Sequence, residues 1–359
     1  MARNTNNTIL HKAKESKSDE FYTQYCDIES ELKYYVNQFQ GKTVFCNCDD
    51  PIRSNFFKYF VDNFHRLRLK GLMASCFHES SDPMFGNIDN KGYYIIYDGK
   101  PLDDFKDVYK NLSYFQGNGD FRSEESKYLL KKCDVVVTNP PFSLFREFVS
   151  LIMRFKKEFL IIGNINAITY KDIFELIQDN KIWLGHNLGR GISGFIVPEH
   201  YNLYGTETRV DENGNRIIAS NNCLWLTNMD SPLRNEFIPL TKTYKNNEEF
   251  YPVFDNYDAI NVNRTQDIPK DFSGVMGVPI TFLHKYNPQQ FKIIQFRKGN
   301  DGKDLSIDGK CPYFRILIKR TKIDDSNSVE ISYDRVRKVN NKNKSMDGGN
   351  IEAVQLSLF

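Results

Sequence analysis

The stretch VVVTNPPFSLF, residues 135–145, constrains the fold more than any other part of the chain. Its β-branched residues favour a buried strand. An Asn and two prolines end it abruptly, because each proline fixes φ and removes a backbone donor. SLFREFVSLIMRF then continues as an amphipathic helix. The same alternation runs along the first half of the sequence. GKTVFCNCDD (41–50) reads as a turn, a short strand and an acidic loop. In the following PIRSNFFKYFVDNFHRL, Phe56, Phe57, Phe60 and Phe64 fall at helical spacing. KGLMASCF (70–77), FLIIGNINAI (159–168) and KIWLG are further strands, SEESKYLLKKC a capped helix and YKDIFELIQDN another helix. Residues 80–110 read as an insertion or a hairpin. This pattern predicts an α/β domain with a mostly parallel sheet. Such sheets bind ligands at the carboxyl ends of their strands. The polar residues 46–50, 120, 139–142 and 164–166 all follow apolar runs, so they are expected on one rim.

Composition sets outer limits. A chain of 359 residues, 40% hydrophobic and 26% charged, allows one large domain or two ordinary ones with a real core. No run approaches the ~18 apolar residues of a membrane span. The N-terminus lacks the apolar stretch of a signal peptide, so a cytoplasmic protein is expected. Seven cysteines, an odd and scattered set, suit reduced thiols. Cys46 and Cys48 form a CxC with no second pair to complete a zinc site, so no metal is expected. The net charge of +2 does not announce nucleic acid. Basic clusters near both ends read as solvated termini that permit a polyanionic partner. From about residue 185 periodicity is poor and Gly, Tyr, Asn and Arg are frequent, which predicts loops able to contact a partner. A polar, basic linker follows about residue 320, and the chain ends in QLSLF.

The NPPF loop carries specific chemistry. Its stiff backbone offers carbonyl acceptors, the Asn139 side chain adds another, and Phe142 supplies a flat apolar face. Together they suit a planar group bearing an exocyclic amine, such as adenine. Hydrogen bonds from both N–H groups to Asn139 and the Pro140 carbonyl would pull the amine nitrogen toward tetrahedral geometry and localise its lone pair. That nitrogen could then attack the sulfonium methyl of S-adenosylmethionine in line, through positioning and electrostatics. The plain alternative is a rigid strand-to-helix turn with no chemistry.

In this setting the chain resembles the S-adenosylmethionine-dependent adenine-N6 DNA methyltransferases, and specifically the EcoRI-type modification methylases. The resemblance lies in KSDEFYTQYCDIE, VFCNCDDPIRSNFFKYF, GDFRS, VVVTNPPFSLFRE, GFIVPEHYNLYGTE, NNCLWLTN and MGVPITFLHKYNPQQF, in that order up to about residue 320. It implies a Rossmann-like methyltransferase sheet with a loop-rich target-recognition region. It gives Asn139, Pro140, Pro141 and Phe142 the target-adenine role. Tyr22 and Thr23 would close over the cofactor's methionine portion, and Asn47, Asp49 and Asp50 would form the first cofactor loop. Glu79 would meet the ribose, and Asp120 with Phe121 the cofactor's adenine. The glycines of the family's F-x-G-x-G loop are absent here, where Phe45, Cys46, Asn47, Cys48 and Asp49 stand.

The resemblance further implies double-stranded DNA as substrate, methylated on a flipped adenine within GAATTC by a monomer. Arg190, Tyr204, Arg209 and Arg264 are the candidate DNA contacts. Rival readings are methylation of RNA adenine or protein glutamine, or a DNA-binding protein that has lost its cofactor. The expected organisation is a basic arm (1–20), a catalytic domain (21–230), a recognition part (231–320), a linker (321–350) and a tail (351–359). In that tail Gln355, Leu356, Leu358 and Phe359 resemble the peptide by which bacterial proteins dock on the replication sliding clamp.

Overall fold

The computed structural model describes residues 22–78, 91–101, 107, 110–187, 192–197, 208–212, 214–219, 222–297, 305–310, 314–321 and 333. The chain divides into two compact units, residues 1–235 and 236–359. In the first unit the strands are β1 (Tyr22–Thr23), β2 (Thr43–Asn47), β3 (Gly71–Cys76), β4 (Tyr93–Tyr97), β5 (Ser113–Tyr114), β6 (Val135–Thr138), β7 (Glu158–Asn164), β8 (Trp183–Leu184), β9 (Phe195–Val197), β10 (Thr208–Val210), β11 (Arg216–Ile218) and β12 (Cys223–Thr227). The α-helices are α1 (Tyr25–Leu32), α2 (Asn55–Asp62), α3 (Glu124–Lys132), α4 (Phe145–Arg154) and α5 (Lys171–Gln178).

Eight strands form the main sheet in the order β5-β4-β3-β2-β6-β7-β12-β8. The central block β3-β2-β6-β7 is parallel. Both flanks are antiparallel, which corrects the expectation of a mostly parallel sheet. The cause lies in two returning segments. Part of the stretch 80–110 comes back as β4 against β3, and NNCLWLTN comes back as β12, with all five strand residues buried against β7. The connection β2–α2–β3 leaves to one side of the sheet and β6–α4–β7 to the other. Adjacent strands whose connections diverge open a crevice beyond their carboxyl ends. That crevice lies above β2 and β6.

Packing fixes this block. Val44, Phe45, Val135, Val136 and Val137 are fully buried. On α2, Phe56, Phe57, Tyr59 and Phe60 are buried, and each such ring contributes roughly 1.5–3 kcal/mol. Phe56 meets Trp225 of β12 edge-on at 5.9 Å, tying the helix across the sheet. Ser54 caps α2, its Oγ accepting from the Phe56 N–H at 3.1 Å. A second sheet, β1-β9-β11-β10, is antiparallel throughout and pairs Thr23 with Phe195.

The second unit contains β13 (Ala259–Asn261), β14 (Val275–Val278), β15 (Phe291–Arg297) and β16 (Arg315–Arg320), in the order β13-β14-β16-β15. Phe254, Ala259, Leu305 and Leu317 form one cluster of its core. Gly277 leaves room for the Phe254 ring, since a Cβ there would stand 2.7 Å from it. Buried Arg315 donates its Nε–H to the Asn261 Oδ1 at 2.8 Å. The sequence predicted loops here. β13 and β14 are short and carry an Asn and a Gly, and β15 and β16 contain apolar runs (Ile293–Ile294 and Ile316–Leu317–Ile318) in place of a clean alternation.

Candidate active site

Two loops leave the neighbouring carboxyl ends of β2 and β6, and one carboxylate joins them. Asp49 is buried, and its carboxylate accepts from the Ser54 hydroxyl at 2.9 Å, from the Thr138 hydroxyl and from the Asn139 backbone N–H. The Thr138 hydroxyl also reaches the Asn47 carbonyl. Burial raises the Asp49 pKa to about 7, and these hydrogen bonds hold it from rising further. The carboxylate therefore fixes the start of the NPPF loop against the first loop, a role the sequence did not reveal. Asp50 is also buried; it accepts from the Ile52 N–H at 2.8 Å and from Tyr93, and forms an ion pair with the Arg53 guanidinium at 3.8 Å. Burial raises its pKa too.

Cys48, immediately before Asp49, has φ 66°. Side chains avoid this left-handed region at a cost of roughly 1–2 kcal/mol per residue. The loop thus keeps a backbone shape that suits glycine, without the glycine. Burial and the nearby Asp49 and Asp120 carboxylates push the Cys48 thiol pKa well up.

Beyond the prolines the NPPF loop tightens into a 3₁₀ turn, Phe142–Leu144. Phe142 is half-buried and meets Phe195 edge-on at 6.1 Å. Phe195 is the strand partner of Thr23, so the backbone of the Tyr22–Thr23 segment and the ring of Phe142 meet the same residue. The Asn55 side chain donates to the Thr23 carbonyl at 2.8 Å and holds that segment over the start of α2. Asn47 accepts from the Ser75 hydroxyl at 3.1 Å. Its Nδ2, like the Thr23 Oγ1, is buried with no partner among the described residues. Each such orphan costs roughly 1–3 kcal/mol, so the pair forms ready seats for a polar ligand.

Asp120 lies on the β3 side of the rim. Gly119 before it has φ 81°, and a Cβ there would stand 2.5 Å from the Cys76 carbonyl at the end of β3. Arg122 donates to both Asp120 oxygens, at 2.9 Å from Nε and 2.7 Å from Nη2, and holds the Asp120 pKa below the usual range. Phe121 is buried edge-on against Phe148 at 5.1 Å, so its ring serves packing.

Two buried carboxylates on α1 were also missed. Asp27 accepts from the Ser193 N–H at 2.8 Å, and Glu31 from the His186 and Asn187 N–H groups at 2.6 and 2.8 Å. Burial raises the Glu31 pKa to about 7. Arg209 is exposed on β10, and Arg264 is exposed beside a 3₁₀ turn of the second unit. Glu79, Arg190, Tyr204, Gln355, Leu356, Leu358 and Phe359 lie outside the described residues.

Comparison with known proteins decides the family. The family model described as adenine-specific methyltransferase EcoRI matches residues 9–353. The chain belongs to this family. It is 63% identical over 327 residues to the type II methyltransferase M.EcoRI of Escherichia coli, covering 90% of this chain and 99% of that protein. It is 38% identical over 332 residues to M.MgeORF184P of Mycoplasma genitalium, covering 88% and 99%. M.MpnI of Mycoplasma pneumoniae is 36% identical over 329 residues, covering 87% and 98%. No solved structure gives a significant match. The protein is an adenine-specific methyltransferase of the type II restriction-modification class. In this methyltransferase the NPPF loop, Tyr22–Thr23, residues 47–50 and Asp120 all belong to the first unit and border the ends of β2, β3 and β6.

Proposed function

We propose that this methyltransferase transfers the methyl of S-adenosylmethionine to the N6 of an adenine flipped out of duplex DNA, within GAATTC. The observation that carries the reading is the junction at β2 and β6, where Asp49 ties the NPPF loop to the first loop and the buried Asn47 Nδ2, like the Thr23 Oγ1, has no partner among the described residues. The residues fit the cofactor: the Thr23 hydroxyl and the Asn47 amide offer unused hydrogen bonds, and the first loop has the backbone shape of a glycine turn. S-adenosylmethionine supplies an electrophilic methyl when bound. Tyr22, Thr23, Asn47 and Asp120 hold it, together with Glu79 through its ribose. Asp49 positions the two loops, and Asp50 the turn into α2.

Asn139 and the Pro140 carbonyl accept both hydrogens of the target amine and raise its nucleophilicity, while Phe142 stacks on the base. Flipping costs a few kcal/mol of unstacking, met by contacts that hold the extruded base. Arg209 and Arg264, with Arg190 and Tyr204, contact the DNA. The enzyme works in the cytoplasm as a monomer, with its second unit contributing to recognition. The terminal QLSLF lies beyond the family match, which ends at residue 353, and we assign it to docking on the sliding clamp through a tether. Deleting residues 355–359 should abolish clamp pull-down, and unchanged capture would end that assignment.

Labelled methyl offered to duplex DNA, to RNA and to a glutamine-bearing protein tests the acceptor. Label on duplex DNA alone is expected, and label on RNA or protein alone contradicts the reading.

A further inference from the structure

Phe142 needs something beyond its own loop to orient it. Pro140 and Pro141 stiffen the backbone before it but leave its side-chain torsions free. Packing must set them, and Phe195 of β9 supplies a ring for that purpose. Phe195 is buried in the main core cluster, and Phe142 packs against that cluster from outside. The two rings lie 6.1 Å apart between centroids at 64°. Such a tilted pair is an energetically preferred arrangement, so a fixed Phe195 ring favours one orientation of its neighbour.

Phe195 is itself held by a latch. Its partner strand β1 contributes only two residues to the ladder, and a pairing this short needs other support. The Gln24 amide donates to the Ser193 hydroxyl at 2.6 Å and to the Gly194 carbonyl at 3.0 Å. The buried Asp27 carboxylate accepts from the Ser193 N–H at 2.8 Å and from its hydroxyl at 3.0 Å. The Ser193 hydroxyl thus accepts from Gln24 while donating to Asp27. Gln24 directly follows Thr23, Asp27 lies in the first turn of α1, and Ser193 stands two residues before Phe195.

We infer that Phe195 is a positioning residue for methyl transfer: held by the Gln24–Ser193–Asp27 latch, it sets the orientation of the Phe142 ring on which the target base stacks. The inference rests on the target-adenine role proposed for Phe142. Phe195 acts through Phe142 and need touch neither base nor cofactor.

The test is a mutant cycle read by single-turnover methyl transfer from saturating S-adenosylmethionine to a GAATTC duplex, using the full-length enzyme. Cofactor Kd and melting temperature are measured alongside. Phe195→Leu should slow transfer by about tenfold while the cofactor Kd stays within about twofold of wild type. In a Phe142→Leu background the same change should cost less than about twofold, because the ring it orients is gone. Ser193→Ala, at an exposed position, should slow transfer by about threefold, again only where Phe142 is present. Phe39→Leu is the control, a fully buried ring of the same core cluster at the amino end of β2. It should lower the melting temperature and leave the transfer rate constant unchanged. A wild-type rate in Phe195→Leu or in Ser193→Ala, or a loss that persists undiminished in the Phe142→Leu background, would overturn the inference. If Phe195→Leu fails to fold, Ser193→Ala carries the same comparison. A Phe142→Leu enzyme that transfers like the wild type would instead remove the stacking role beneath the inference, and the inference with it.

Discussion

The loops after β2 and β6 sit side by side at one rim and are made rigid in different ways. Residues 139–142 are stiff by covalent structure, with two prolines that fix φ and cannot donate. Residues 47–50 contain no proline and no glycine. They are held by hydrogen bonds to a buried carboxylate, and they include a left-handed cysteine. In the proposed reading the NPPF loop presents the groups that meet the target amine, and residues 47–50 anchor it through Asp49. Chemistry and anchoring are therefore separable, and mutations should separate them.

The largest effect is expected at Asn139. Asn139→Ala should lower the methyl-transfer rate constant by about 10²–10³-fold, the scale of losing one preorganised catalytic hydrogen bond, with the melting temperature nearly unchanged. Asp49→Ala should behave differently. It strands the Ser54 hydroxyl and the Asn139 N–H, at roughly 1–3 kcal/mol each, and leaves the Thr138 hydroxyl only the Asn47 carbonyl. Thermal unfolding should show stability and transfer falling together. Equal melting temperatures for the two variants would break the distinction between the loops.

A pH effect follows from the same carboxylate. The Asp49 pKa rises from 3.8 to about 7 on folding, so the native state holds a proton that the unfolded chain releases. This group's contribution therefore favours the fold at low pH and is lost progressively as pH rises from about 4 to 7. The slope approaches 1.4 kcal/mol per pH unit in that window. Asp49→Asn should flatten it in denaturant titrations at pH 5 and 7.5, and an unchanged difference would contradict the assignment. The smallest effect is expected at Cys48. Cys48→Gly relieves a left-handed side chain but frees the unfolded backbone, for a net gain of about 0.5–1 kcal/mol. A fall in melting temperature would show that the thiol's packing outweighs its strain.

These differences also explain what could be read from the sequence. The turn at NPPF between strand and helix was legible because proline geometry is local. The parallel block was legible from its apolar runs and the aromatic spacing of α2. The role of Asp49 was hidden, since Thr138 lies 89 residues away in the chain and only the fold brings the two together. Phe195 was hidden for the same reason, reaching Phe142 from a three-residue strand. The antiparallel flanks β4 and β12 arrive from segments whose partners no periodicity names. No sequence motif marks Glu31 and Asp27, and only their burial against His186, Asn187 and Ser193 distinguishes them.

The most direct measurement is transfer of labelled methyl from S-adenosylmethionine to two short duplexes, one containing GAATTC and one scrambled. Wild type and Asn139→Ala would be run together, and the labelled product digested to nucleosides. The account predicts N6-methyladenine on the GAATTC duplex alone, reduced at least about a hundredfold in a variant that melts like the wild type. Undiminished transfer by that variant, or label on a base other than adenine, would contradict it.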